Sequence, residues 1–169
     1  MWYILLLQLA LTSFYDLRFP ACDGREVPME TFRGKNILIV NSASGSRRAG
    51  QLDSLAELQR RYADRLVVIV FPSNSFGREP KDAVALCAQT AQLRGSGLLV
   101  AAPVQVTGDD MHPVFRWLTS QADNEVSDSP VTENFRKYLI NAEGNLVGIF
   151  AAPVQPLSSE VIQALETAQ

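Results

Sequence analysis

The residues best suited to chemistry in this chain lie in the polar segment 41–48, whose sequence is Asn-Ser-Ala-Ser-Gly-Ser-Arg-Arg. An apolar run at 37–40 precedes it, and after Gly50 apolar side chains recur at helical spacing, at Leu52, Leu55, Leu58 and Tyr62. This pattern predicts a buried strand, a tight loop and an amphipathic helix whose first backbone N–H groups point into the loop. Such a loop can lower the pKa of a thiol or hold an anion. Ser46 occupies the position that would suit a reactive cysteine.

A second buried strand is predicted to bring another polar loop beside the first. Residues 66–71 are almost continuously apolar, which is the pattern of a strand covered on both faces. Strand, helix and strand in this order imply a right-handed crossover and a parallel pair. We therefore expect the loop 72–77 to lie near the loop 41–46, because both follow the carboxyl ends of neighbouring strands, where open α/β sheets bind ligands.

The rest of the chain completes an α/β domain. Residues 14–19 alternate as a strand does, and Asp23-Gly24 indicates a hairpin turn into a return strand at 26–29. The remaining predicted elements are a helix at 79–93 with Val84 and Cys87 facing inward, a short strand at 98–100, a helix at 111–118, a polar loop at 121–132, a hairpin of strands 135–140 and 146–150, and a helix at 157–165 that begins near Ser158.

Composition excludes several classes of function. The 169 residues suit one domain, predicted over 14–169, and the net charge of −3 gives no basis for nucleic-acid binding. The two cysteines, Cys22 and Cys87, are too few and too far apart in sequence to predict a disulfide framework or a zinc site. The single histidine, His112, excludes a multi-histidine metal site. We expect no metal and no cofactor.

Residues 1–13, MWYILLLQLALTS, differ in composition from the remainder of the chain. They are too short to span a bilayer but have the length of the apolar part of a signal peptide, with small residues at the positions that precede cleavage before Ser13. We interpret them as a signal peptide or apolar leader, and expect export to the periplasm or the extracellular space. The alternative is an N-terminal strand packed on a cytoplasmic domain.

Five segments in order resemble the glutathione peroxidase family, which has a thioredoxin-like fold. The segment 70–77, Val-Phe-Pro-Ser-Asn-Ser-Phe-Gly, is similar to the Phe-Pro-Cys-Asn-Gln-Phe-Gly motif of the family. The other four segments are 15–27, 32–44, 112–115 and 133–139. The resemblance implies a central mixed sheet flanked by helices, with a β-hairpin added at the N-terminus.

The resemblance also implies where a catalytic site would lie. Enzymes of this family use a cysteine or selenocysteine helped by a glutamine, a tryptophan and an asparagine. These positions fall here on Ser46, Ser75, Glu133 and Asn134, so only the asparagine matches. Ser73 stands where many members carry a further cysteine, and Cys87 aligns with a family helix cysteine that is not the nucleophile.

The chemistry of serine supports the interpretation that peroxidase activity has been lost. Peroxide reduction needs a nucleophile that is ionised near neutral pH and forms a sulfenic acid that thiols can recycle. A serine hydroxyl stays protonated at neutral pH, because neighbouring groups shift a pKa by only a few units. We therefore predict an inactive peroxidase homologue that acts as a binding or scaffold protein.

Three alternatives use the same residues differently. Cys22, on an expected turn, could serve as a relocated peroxidatic thiol in the oxidative-stress response, although Asp23 beside it would raise its pKa. Ser46 with His112 could form a serine hydrolase, although the Gly-x-Ser-x-Gly elbow is absent. Finally, Ser46, Arg47 and Arg48 could hold a small anion or a thiol compound, unless the arginines are solvated or pair with Glu133 or with Asp residues of the loop 121–132.

Overall fold

The N-terminal hairpin is the first β-structure of this computed structural model, which describes residues 12–78 and 82–168. Its strands are β1 (Arg18–Pro20) and β2 (Glu26–Pro28), paired antiparallel around the turn at 21–24. The segment predicted as one strand at 14–19 begins instead with a 3-10 helix, Phe14–Asp16. The reason is local: the Ser13 hydroxyl accepts from the Tyr15 N–H, and the Asp16 carboxylate accepts from the Ser13 N–H, which favours a helical turn.

Five strands form the central mixed sheet. They are β3 (Asn36–Ser42), β4 (Leu66–Pro72), β5 (Leu99–Val100), β6 (Lys137–Ile140) and β7 (Leu146–Phe150). Their order is β5-β4-β3-β6-β7, with β3, β4 and β5 parallel and β6 and β7 antiparallel to their neighbours. The two long apolar runs of the sequence are thus adjacent strands at the centre, which confirms the predicted parallel pair.

Helices cover both faces of the sheet. They are α1 (Gln51–Arg61), α2 (Ala83–Arg94), α3 (Pro113–Thr119), α4 (Gln121–Asn124) and α5 (Ser159–Thr167). Alternate residues of β3 point to opposite faces: Leu38 lies in the cluster that contains Leu55 of α1 and Val161 of α5, and Ile39 lies in the cluster that contains Phe115 of α3. The fold is the thioredoxin-like α/β arrangement that the sequence predicts.

Two of the predictions about helices were wrong in detail. Val84, predicted to face inward from the second helix, is 77% exposed, and α2 begins at Ala83 after its cap Asp82. The predicted start of that helix at 79–80 lies outside the described residues. The segment 121–132, predicted as a loop throughout, contains the single turn α4, whose Asn124 side chain donates to the carbonyls of Trp117 and Leu118.

The predicted leader at 1–13 falls almost wholly outside the described residues. Thr12 and Ser13 are described, and the Thr12 carbonyl accepts from the Trp117 indole N–H at 2.9 Å. Within the described ranges, no helix is long and apolar enough to cross a membrane.

Candidate functional site

An open pocket of about 330 Å³ lies at the carboxyl ends of β3 and β4. It contains most of the residues that the sequence singles out, because the loops after these parallel strands meet at one edge of the sheet. Its lining comprises Ser46, Arg47, Arg48, Phe76, Arg78, Thr132, Glu133 and Asn134. No cysteine lines it, because the only two cysteines of the chain lie elsewhere in the fold.

Three backbone N–H groups around Ser46, where the sequence predicted free donors, are already hydrogen-bonded. The N–H of Gly45 donates to the Arg78 carbonyl at 2.9 Å, and the N–H of Ser46 donates to the Ala43 carbonyl at 3.1 Å. The N–H of Arg48 donates to the Ser46 hydroxyl oxygen at 3.2 Å. The loop forms consecutive turns and the helix begins only at Gln51, so an anion here would be held mainly by side chains.

An ion pair crosses the pocket. The Arg48 guanidinium lies 2.8 Å from the Glu133 carboxylate, and their side chains are 18% and 40% exposed. Glu133 occupies the position implied for the family's tryptophan. Its negative charge is partly neutralised by Arg48. Arg47 and Arg78 are exposed and form no ion pair with another described residue.

The Asn41 side chain of β3 holds Glu133 and Asn134 in place. Its amide N–H donates to the Glu133 carbonyl at 3.1 Å, and its amide oxygen accepts from the Arg136 N–H at 3.0 Å. Phe135 lies between Glu133 and Arg136 and has a φ of 72°. This backbone conformation is unfavourable for a bulky residue, and the two hydrogen bonds of the Asn41 side chain help to hold it. Asn134 is only 7% exposed, and its Oδ1 accepts no hydrogen bond from the described residues.

Lys137, the first residue of β6, is fully buried behind this segment. Its ammonium donates to the carbonyls of Phe135 at 2.7 Å and Ala152 at 3.4 Å. Burial lowers the pKa of Lys137 from 10.5 to about 8; Arg48 contributes to this lowering and Glu133 opposes it. The two charged side chains of the pocket's ion pair, Arg48 and Glu133, therefore also interact with the buried ammonium of Lys137.

Ser75, the position implied for the family's glutamine, does not line the pocket. Its hydroxyl donates to the Gln105 side chain at 2.8 Å and accepts from the Val106 N–H at 3.0 Å. The Ser73 hydroxyl oxygen lies 3.0 Å from that of Ser75. The two serines thus tie the loop 72–77 to the segment 105–106, and Ser75 is not among the residues that line the pocket with Ser46.

His112 is not among the residues that line the pocket. Its Nδ1 accepts from the Val114 N–H at 3.3 Å and caps α3, which is a structural role. Burial lowers the pKa of His112, so the ring is neutral at physiological pH. The geometry offers Ser46 no histidine base for hydrolysis.

The two cysteines form a disulfide, contrary to the expectation drawn from their spacing. Cys22, in the hairpin turn, is bonded to Cys87 of α2, 65 residues away, with their Cα atoms 5.6 Å apart. Separation in sequence was the wrong criterion, because the hairpin lies beside β5 and α2 in the fold. Cys87 is half-buried, and its sulfur is in the disulfide rather than a free thiol.

Three residues of the pocket were missed in the sequence: Phe76, Arg78 and Thr132. Arg78 directly follows the loop 72–77, which was expected beside Ser46, and its backbone adopts a φ of 78°. Proximity to that loop could have pointed to Arg78, whereas nothing in the sequence indicated that its carbonyl binds Gly45. Within the described residues, no group of three metal-ligating side chains occurs.

Comparisons with known proteins agree on one family. Residues 14–119 match the family described as glutathione peroxidase. The glutathione peroxidase-like peroxiredoxin GPX5 of Chlamydomonas reinhardtii is 34% identical over 152 residues, which cover 89% of this chain and 93% of that protein. The glutathione peroxidase homolog BsaA of Staphylococcus epidermidis is 31% identical over 148 residues, covering 86% and 93%.

Solved structures agree on the fold. The crystal structure of Trgpx in its apo form is similar with a TM-score of 0.68 and 29% identity, covering 93% of this chain and 98% of that one. A thioredoxin-family thiol:disulfide interchange protein from Chlorobium tepidum is similar with a TM-score of 0.63 at 14% identity, covering 95% and 98%. The second likeness concerns the fold alone.

Proposed function

Because the chain belongs to the glutathione peroxidase family, we propose that it is a member without peroxidase chemistry at the family's usual position and that its pocket binds a small anion. One observation carries this proposal: the pocket around Ser46 is lined by two hydroxyl residues and three arginines but no cysteine. A hydroxyl cannot form the sulfenic acid that peroxide reduction requires. Guanidiniums are the side chains best suited to carboxylate, sulfate and phosphate.

The vestigial positions are Ser46, Ser75, Glu133 and Asn134. Ser75 is turned toward Gln105, and Glu133 is paired with Arg48, so two of the four positions are engaged in other contacts. This arrangement supports a role in binding rather than in catalysis. A binding or scaffold function needs only that the pocket and its surroundings remain ordered.

We expect the purified protein not to reduce hydrogen peroxide or a lipid hydroperoxide with glutathione or thioredoxin. Ser46→Cys should give weak turnover at best, because the exchange supplies a thiol but neither the amide at 75 nor the indole at 133. Peroxide consumption is the measurement, with the Cys22→Ser/Cys87→Ser double variant as the cysteine-free control. Turnover by the unmodified chain above that control would contradict the proposal.

A second candidate function is favoured by the disulfide. In a two-cysteine peroxidase the sulfenic acid of the attacking cysteine condenses with the resolving thiol, which releases water and leaves a disulfide for a thiol reductant to open; Cys22 and Cys87 are joined by such a bond. Cys22 also lines a separate groove of about 330 Å³ beside β5, where a substrate could approach. The peroxide assay distinguishes the two functions: activity that requires Cys22 but not Ser46 would establish this second candidate.

Glu133→Gln tests the binding function. We expect the affinity for sulfate or phosphate to rise about tenfold, because the neutral amide no longer repels the anion or competes for Arg48. The free energy of unfolding should fall by less than about 1 kcal/mol, since Glu133 is 40% exposed. Calorimetric titration and urea denaturation are the measurements.

The matched control for Glu133→Gln is Glu125→Gln, which neutralises an exposed carboxylate outside the pocket. An unchanged anion affinity in Glu133→Gln would remove the competition between Glu133 and the ligand. A loss of several kcal/mol in stability would show instead that the pair with Arg48 is a buried structural bridge.

The disulfide also supports the proposal that the protein is exported and that residues 1–13 form a leader. Disulfides persist in oxidising compartments such as the periplasm and are rare in the cytosol. We expect mass spectrometry of protein from the native host to find a chain that begins near Ser13 and lacks two thiol protons. An intact Met1 with reduced cysteines in the cytoplasm would refute this.

A further inference from the structure

The pocket has an excess of positive charge. Its lining contains three guanidiniums, on Arg47, Arg48 and Arg78, and one carboxylate, on Glu133, which leaves a net charge of +2. The buried ammonium of Lys137 interacts electrostatically with the same ion pair. The chain as a whole carries a net charge of −3, so the concentration of cations here is local. Like charges gathered in one place repel one another, and a bound dianion would relieve that repulsion.

Asn134 adds a second requirement. It is 93% buried at the pocket wall, and its Oδ1 is a hydrogen-bond acceptor without a donor among the described residues. Buried acceptors are rarely left unpaired, because an unpaired one loses its hydration without compensation. This oxygen has almost no solvent-accessible surface in this conformation, so the O–H or N–H group of a ligand reaches it only if the amide rotates about χ2. A ligand that fits both features must bring an O–H or N–H donor as well as two negative charges.

We propose that the pocket selects a small oxyanion that carries its own O–H group, with hydrogen phosphate as the ligand. The proposal rests on the anion-binding function above and specifies which anion is bound. Near neutral pH, hydrogen phosphate has two negative charges and keeps one proton. Sulfate has the same charge but no proton, and the dianion of a phosphate monoester likewise has no O–H group. The guanidiniums contact the charged oxygens, and the remaining O–H donates to Asn134.

This assignment makes Asn134 a specificity-determining residue. For a site that hydrogen-bonds a ligand hydroxyl, the analogue without that hydroxyl is rejected strongly, because the buried partner is then left unpaired. Guanidiniums alone would accept phosphate and sulfate nearly equally, since both are tetrahedral oxyanions of similar size. The ratio of the two affinities therefore reports on the Asn134 contact, and their absolute values report on the guanidiniums.

The test is calorimetric titration of the whole chain with inorganic phosphate, sulfate and phenyl phosphate at a pH of about 7.5 and low ionic strength. We expect phosphate to bind about tenfold or more tightly than sulfate or phenyl phosphate. Asn134→Leu should bring phosphate and sulfate to about equal affinity. Asn145→Leu, the same exchange at an exposed turn outside the pocket, should keep the preference.

The possible outcomes separate the two proposals. Equal affinities for phosphate and sulfate in the unmodified chain would overturn the selection by Asn134 while leaving an anion site in place. No detectable binding of any of the three anions would overturn the anion-binding function together with this inference. The comparison of the three anions uses the unmodified protein, so it decides the question even if Asn134→Leu does not fold.

Discussion

Reduction of the Cys22–Cys87 disulfide should lower the free energy of unfolding by about 4 kcal/mol. The bond closes a loop between residues 65 apart, and the chain-entropy model predicts a loss of this size when such a loop is opened in the unfolded state. This is a large part of the stability of a typical domain, which lies at about 5–15 kcal/mol. Urea denaturation with and without dithiothreitol measures the difference.

The double variant Cys22→Ser/Cys87→Ser is the matched control for that experiment. Its stability should equal that of the reduced wild type within about 1 kcal/mol and should not respond to dithiothreitol. A wild type that loses less than about 1 kcal/mol on reduction would mean that the bond restrains the unfolded chain far less than its loop length implies.

Raising the pH from 8 to about 10 should stabilise the wild type relative to Lys137→Met by about 2–3 kcal/mol. The pKa of Lys137 falls from 10.5 in the unfolded chain to about 8 in the fold, because the ammonium is buried. Between these values the unfolded chain binds more protons than the folded one, so stability rises with pH. Below pH 8 both states are protonated and the full penalty for burying the charge remains.

The difference in free energy of unfolding between wild type and Lys137→Met isolates the contribution of Lys137. The pKa of Tyr138 is raised by burial, and its titration is common to both proteins. Lys35→Met, at a partly exposed lysine, is the matched control and should keep the wild-type pH dependence. Urea denaturation at pH 7, 8, 9 and 10 gives the free energy of unfolding at each pH. If this free energy changed with pH in the same way for wild type and Lys137→Met, burial of the ammonium would carry no free-energy cost. At pH 7 Lys137→Met is stabilised because it buries no charge. This gain is reduced because the Phe135 carbonyl loses the hydrogen-bond donor that Lys137 supplies.

The sequence predicted the parts of the fold that are marked by a local pattern of residues. The apolar runs at 37–40 and 66–71 became β3 and β4, because a strand covered on both faces must be apolar throughout. The cap at Ser158 was found because a serine before an apolar helix accepts from the first free N–H groups. The 3-10 helix at Phe14–Asp16 was missed, because its alternating pattern is also that of a strand and only the contacts of Ser13 decide between them.

The features that the sequence did not predict depend on contact between distant segments. The disulfide joins residues 65 apart, and the approach of Arg78 to Gly45 depends on how two loops meet. Ser75 occupies the expected loop, but its direction is set by Gln105 and Val106, which no local pattern reveals. The pair between Arg48 and Glu133 was foreseen as one of several options, and the structure provides its geometry.

The hairpin has a consequence for the edge of the sheet. β5 is an outermost strand, and the chain at 20–22 lies along it, with Ala21 bridged to Ala101 and the Ala102 N–H donating to the Pro20 carbonyl at 2.7 Å. Segment 20–22 therefore covers this edge of the sheet. The disulfide attaches the segment to α2 at Cys22, the residue after Ala21. An uncovered edge strand can add a strand from another molecule, which is a common route to self-association. The bond between Cys22 and Cys87 thus holds the covering segment against this edge, and we expect light scattering to detect more self-association under reducing conditions.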